Sequence, residues 1–207
     1  MKNKTWTDRI SAIMSNLSDK FSCNELAYLA LTSKIERPIV DKLAFCLHRN
    51  YAEGHIAIAR EWTKPKQYQR ADLAVVSDGK PRLLLEAKAM YSFDMFSSDA
   101  NKKKYRNRVG KDVKKLRQFR PEYDLERTAM ILLTDANCCP EGKFAGIVKY
   151  MKRLKEPANS FDKLKCTVEQ NFKCRPIHSS GSICAGYEFG VNVTVHYWLF
   201  GPFSAEE

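Results

Sequence analysis

Residues 70–90 read Arg70-Ala-Asp-Leu-Ala-Val-Val-Ser-Asp-Gly-Lys-Pro-Arg-Leu-Leu-Leu-Glu-Ala-Lys-Ala-Met90, two apolar runs joined through Ser77-Asp78-Gly79. Asp72, Glu86 and Lys88 are embedded in those runs. Strand interiors rich in Val and Leu exclude ionisable side chains, because an uncompensated buried charge is costly unless it is paired or holds a metal. Three such groups in one hairpin therefore point to a site.

On a strand, Glu86 and Lys88 project from one face while Leu85, Ala87 and Ala89 project from the other. The turn decides whether Asp72 joins them. A two-residue Asp78-Gly79 turn sets Asp72 opposite Leu85, with its carboxylate on the wrong face. A three-residue Ser77-Asp78-Gly79 loop, with Gly79 left-handed, sets Asp72 opposite Leu84 and makes Glu86 its diagonal neighbour. The three-residue loop is the expected one, and the requirement it serves is that Asp72 share a face with Glu86.

Outward from the hairpin, residues 54–62 alternate as a strand, followed by a polar connection through Lys64-Pro65-Lys66-Gln67, so residues 54–90 read as a three-stranded meander. Before it, apolar residues at helical spacing predict helices over 5–19 (capped by Thr5 or Thr7), after a Ser22–Glu25 capping box, and from a Ser33–Glu36 box to about Asn50. Glu36 lies on the apolar stripe with Val40, Leu43 and Leu47, so it is either a cap or a carboxylate at the edge of the site. After the meander, a largely basic helix spans about 103–120, with Val109, Val113, Leu116 and Phe119 as its apolar positions. Thr128–Thr134 is a strand covered on both faces. Another amphipathic helix carries Phe144 to Leu154 and ends near Pro157. A mixed segment from Phe161 leads to a β-like stretch from Ile183 to Phe200.

The chain has 207 residues, enough for one domain that buries roughly 70–75% of its unfolded surface. A hydrophobic content of 44% with 11% aromatics excludes a disordered chain. The net charge of +11 favours a polyanionic partner, nucleic acid before an anionic membrane. No run approaches the ~20 apolar residues of a membrane span, and the N-terminus lacks a signal-peptide core. The reading is a cytoplasmic protein without membrane attachment, and its seven cysteines suit reduced thiols.

Asp72, thirteen intervening residues, and Glu86-Ala87-Lys88, on adjacent strands between two helices, resemble the PD-(D/E)XK nuclease superfamily over roughly residues 33–136. The resemblance implies an α/β restriction-endonuclease-like core, a mixed central sheet in the order α-β-β-β-α-β, with N-terminal helices over 5–32 and helix and strand additions over 143–200. It implies that Asp72, Glu86 and the Ala87 carbonyl hold Mg²⁺ or Mn²⁺, that Lys88 orients or activates the attacking water, and that Glu36 is an additional helix acid. Ala71 departs from the pattern, since a proline often precedes the aspartate. The activity implied is hydrolysis of DNA, more readily than RNA, in restriction or phage defence, by a homodimer where both strands are cut. The alternative is an inactive nuclease-fold subunit of a larger complex.

The residue chemistry agrees. Phosphodiester hydrolysis builds negative charge on oxygen, which carboxylate-held divalent cations stabilise, and hard oxygen ligands suit Mg²⁺ or Mn²⁺. The basic run Lys102, Lys103, Lys104, Tyr105, Arg106, Arg108 and Lys111 fits a phosphate-backbone track, with Tyr105 either stacking on a base or packing. Cys166, Cys174, His178 and Cys184 match no strong zinc spacing.

Overall fold

A computed structural model describes residues 4–63, 70–119, 123–154, 161–172 and 176–204. The Lys64–Gln67 connection, Arg120, Pro157 and Cys174 lie outside these residues. Helices α1 (Trp6–Met14), α2 (Glu25–Thr32) and α3 (Glu36–Tyr51) precede β1 (Ile56–Thr63), β2 (Arg70–Ser77) and β3 (Lys80–Tyr91). The short α4 (Ser92–Met95) and long α5 (Asp99–Arg117) then lead to β4 (Glu126–Ala136), α6 (Phe161–Asn171), β5 (Ile177–Glu188) and β6 (Val191–Phe200). The strands form one mixed six-stranded sheet in the order β1-β2-β3-β4-β6-β5. Among the described strands only β3 and β4 pair in parallel, with α5 in the crossover a parallel pair needs.

The sheet is covered on both faces, which explains the unbroken apolar run of β4. On one face Leu73, Val75, Leu83, Leu85 and Ala87 pack with Ile10, Leu26, Leu31, Ile39 and Leu43 from α1, α2 and α3. On the other, Val109 and Val113 of α5 and Leu164 and Val168 of α6 cover Met90, Ile131, Leu133, Trp198 and Phe200. The half-buried Glu126 anchors the first layer. Its carboxylate accepts the Trp6 and Thr7 amides at 2.7 and 2.8 Å, an anion at the positive end of α1.

The hairpin corrects the expected loop. Ser77 pairs with Lys80, so the turn has two residues, Asp78 (φ 52°) and Gly79 (φ 71°), both left-handed as such a turn requires. The register then shifts between Val75 and Val76, so that Val76 faces Pro81 but Val75 faces Leu83. Pro81 has no N–H for the ladder, and a bulge absorbs that deficit by leaving Arg82 as the extra residue. The extra residue sets Leu73 opposite Leu85, the last pair of the ladder, so Asp72 lies just past its end.

Other differences lie outside the meander. The N-terminal helix stops at Met14 and a 3₁₀ turn follows over Leu17–Lys20. The helix expected around Phe144–Leu154 is instead two 3₁₀ turns, Gly142–Phe144 and Met151–Arg153, interrupted by Gly146 and Tyr150 at positive φ. The mixed segment from Phe161 is α6. The β-like stretch to Phe200 is a hairpin that begins at Ile177 and turns at Phe189-Gly190, φ 52° and 82°. The sparse apolar content of β5 concealed it, because Ser, Gly and Cys fill alternate positions where Val marks β6.

Candidate active site

β3 outruns β2. The last pair of their ladder is Leu73 with Leu85, while β3 continues beside β4 to Tyr91 and Thr134. Amides along the freed edge of β3 need other acceptors, and two carboxylates supply them. Ala87 N donates to Asp72 Oδ2 at 2.8 Å, and Ala89 N donates to Glu36 Oε2 at 3.1 Å. Glu36 is therefore no cap for α3. Ser33, the other half of the expected box, closes α2 instead by donating its hydroxyl to Leu29 O.

Since Leu85 and Ala87 point into the α1–α3 core, Glu86 and Lys88 point toward α5. There α5 contributes Asp112, a residue not singled out from the sequence, and Lys115, a member of the basic run that turns inward instead of outward. Lys88 Nζ lies 3.3 Å from Asp112 Oδ2. Lys115 Nζ lies 2.5 Å from Glu86 Oε1 and donates to Arg70 O at 2.7 Å. Asp112 and Lys115 are three apart, hence on one helical face, and they flank the buried stripe of Val109, Val113 and Leu116. The one acidic residue in the centre of that basic run was the available signal.

The electrostatics reflect crowding of like charges. Glu86 is buried, with Trp62, Leu84, Leu116 and Phe119 lining the gap beside it. Burial, then the charge of Asp72, push its carboxyl up to about 7, against the opposing pull of Lys115. Glu36 is also raised, chiefly by burial. Burial alone would depress the Lys88 ammonium, but Glu36, Asp112 and Asp72 outweigh it and hold Lys88 above its usual range.

Among the described residues no group of three His, Cys, Asp and Glu side chains is arranged to hold a metal ion. The oxygen set at the divergence of β2 and β3 nevertheless fits a cation that keeps much of its water. Asp72 and Glu86 are close enough to repel, and the buried Glu86 Oε1 has the Lys115 ammonium beside it. Ala87 presents its carbonyl along the same strand edge as the amide that meets Asp72. Two carboxylates and a backbone carbonyl are hard donors of the kind Mg²⁺ and Mn²⁺ take.

Along α5, Lys103, Lys104, Arg106, Arg108 and Lys111 are exposed. Lys102 is drawn to Asp99 at 3.6 Å. Tyr105 is half-buried against the second core, with its hydroxyl on Asp94, so of its two readings the structure supports packing. Of the thiol and imidazole groups, Cys166 and Cys184 are exposed, and His178 pairs with Asp8 at 3.1 Å. No described helix is long and apolar enough to cross a membrane. The chain matches no protein-family model, no curated protein and no solved structure.

Proposed function

We propose that the chain is a divalent-cation-dependent endonuclease of the PD-(D/E)XK type, hydrolysing phosphodiester bonds in DNA, with restriction or phage defence as its setting. The observation that carries this reading is the meeting of Glu36, Asp72, Glu86 and Lys88 where β2 leaves β3, with Glu86 raised by burial beside a second carboxylate. Structural ion pairs of this kind contribute little net stability, whereas repelling acids beside a carbonyl suit a cation. Asp72, Glu86 and the Ala87 carbonyl would hold Mg²⁺ or Mn²⁺, which when bound supplies charge stabilisation at the attacked phosphate.

The chain's own groups account for the rest. Lys88 is held protonated by Glu36, Asp112 and Asp72, so it acts as a charge and hydrogen-bond donor toward the attacking water and the phosphate rather than as the base. Asp112 fixes where its ammonium sits. Glu36 keeps one oxygen on Ala89 N and turns the remainder of its carboxylate toward the cleft beside Asp72. The exposed cations of α5 form a track for backbone phosphates.

A second reading, a nuclease-fold subunit that binds nucleic acid without cutting, is favoured by one observation: Asp72 and Glu86 already have partners in Ala87 N and Lys115. Incubation with supercoiled plasmid and single-stranded DNA in Mg²⁺ or EDTA separates the two. Cleavage in Mg²⁺ alone, lost in Asp72→Asn, supports the nuclease, and retention without cleavage supports the binding subunit.

A further inference from the structure

Glu61 has a backbone that its residue type does not favour. It lies in β1 between the pairs Arg60–Leu73 and Trp62–Ala71, opposite Asp72, with φ 48°. A non-glycine residue held left-handed is strained and persists where the surroundings impose it. Here the conformation lets the Glu61 carboxylate bridge two guanidiniums. Oε1 lies 3.5 Å from Arg37 on α3, and Oε2 lies 3.4 Å from Arg70 at the start of β2.

Stability does not account for this bridge. The Arg37, Arg70 and Glu61 side chains are 81%, 54% and 50% exposed, and ion pairs so open to water contribute little. Two guanidiniums sharing one anion are, however, the arrangement by which arginines take a phosphate. The three residues sit at the mouth of a cleft of about 410 Å³, whose inner wall carries Glu36 and Asp72. Arg60, held 2.6 Å from Asp41, stands on the same wall.

We propose that this cleft seats the nucleic-acid strand next to the bond being cut, with Arg37 and Arg70 clamping a backbone phosphate and Glu61 standing in for that phosphate in the free protein. The proposal rests on the nuclease reading for the meaning of the inner wall. Charge adds an order of events. Four carboxylates, Glu36, Asp41, Glu61 and Asp72, face three guanidiniums and the Lys88 ammonium beside Glu36 and Asp72, so a divalent cation at Asp72 turns a balanced cleft positive. The cation therefore favours entry of a phosphate strand, and displacement of Glu61 completes the clamp.

Fluorescence anisotropy of a labelled 12-nucleotide single strand tests this, in a Lys88→Ala background that keeps every carboxylate. Parent binding tightens from EDTA to Mg²⁺. Glu61→Gln, isosteric but uncharged, binds about fivefold tighter in EDTA, and Arg37→Ala/Arg70→Ala binds about fivefold weaker in Mg²⁺. Binding within twofold of the parent for both variants in both buffers overturns the clamp. If wild type cleaves plasmid while the variants bind like the parent, the clamp fails and the nuclease reading stands. If Glu61→Gln tightens binding while wild type cleaves nothing, the clamp stands and the nuclease reading fails.

Discussion

Glu86→Gln tests the electrostatic strain at the site without reference to any substrate. The Glu86 carboxyl rises from its ordinary 4.5 to about 7 on folding. A folded-state pKa above the unfolded one means that the folded chain retains a proton the unfolded chain releases. The resulting stability is complete below pH ~4.5 and is lost as pH rises through 7. A shift of this size corresponds to about 3 kcal/mol as a ceiling, at ~1.4 kcal/mol per unit. Gln cannot titrate, so the stability of the variant relative to wild type climbs by up to that amount between pH 4.5 and pH 8, whatever Gln costs locally. Urea unfolding in EDTA across this range measures it, with m-values to confirm two-state behaviour. Parallel pH profiles for the two proteins would refute the assignment. Mg²⁺ added at pH 8 should raise the midpoint of wild type and leave Glu86→Gln nearly unmoved, since only a folded-state site gains from the ion.

Other perturbations follow from the same contacts. Lys115→Met removes the cation that opposes the Glu86 shift, so in EDTA at pH 8 it should unfold about 1–3 kcal/mol more easily, as expected when a buried charge loses its partner, with Mg²⁺ restoring much of the loss. Gly79→Ala should cost roughly 1 kcal/mol, because φ 71° suits glycine and a Cβ there meets nothing that could compensate. Gly79→Asn should cost less, and equal melting of all three proteins would contradict the turn. Replacing Lys104 and Lys111 with Ala should weaken oligonucleotide binding uniformly across sequences and lower the salt slope by about two, one per phosphate contact. A slope that does not change would remove the α5 track.

Much of the core was legible in the sequence because period and breakers agreed there. The meander showed itself through the alternation of β1 and the Asp78-Gly79 signal, and β4 through its unbroken apolar run. The three-residue loop expected to carry Asp72 onto the face of Glu86 is absent, and a two-residue turn with a bulge beside Pro81, a residue visible in the sequence, stands in its place. Glu36 could be read as a cap from its spacing to Ser33 or as a site residue from its place on the apolar stripe, and the free edge of β3 decided between them. Asp112 and Lys115 were hidden in a basic helix, where charge runs read as solvated surface, yet two residues turn inward to meet β3. The 142–154 segment misled because its apolar spacing is helical while Gly146 and Tyr150 take positive φ.

In the proposed nuclease, Asp72, Glu86 and Lys88 form one cation-dependent cleaving centre. Its most direct test is the rate at which supercoiled plasmid disappears in Mg²⁺ for wild type, Asp72→Asn, Glu86→Gln and Lys88→Ala, each shown by circular dichroism to be folded. Cleavage by wild type, abolished by EDTA and reduced at least about 100-fold in every variant, is the expected result, in line with the loss of one positioned charge from a reacting centre. Equal cleavage by all four folded proteins, or none by wild type, contradicts it.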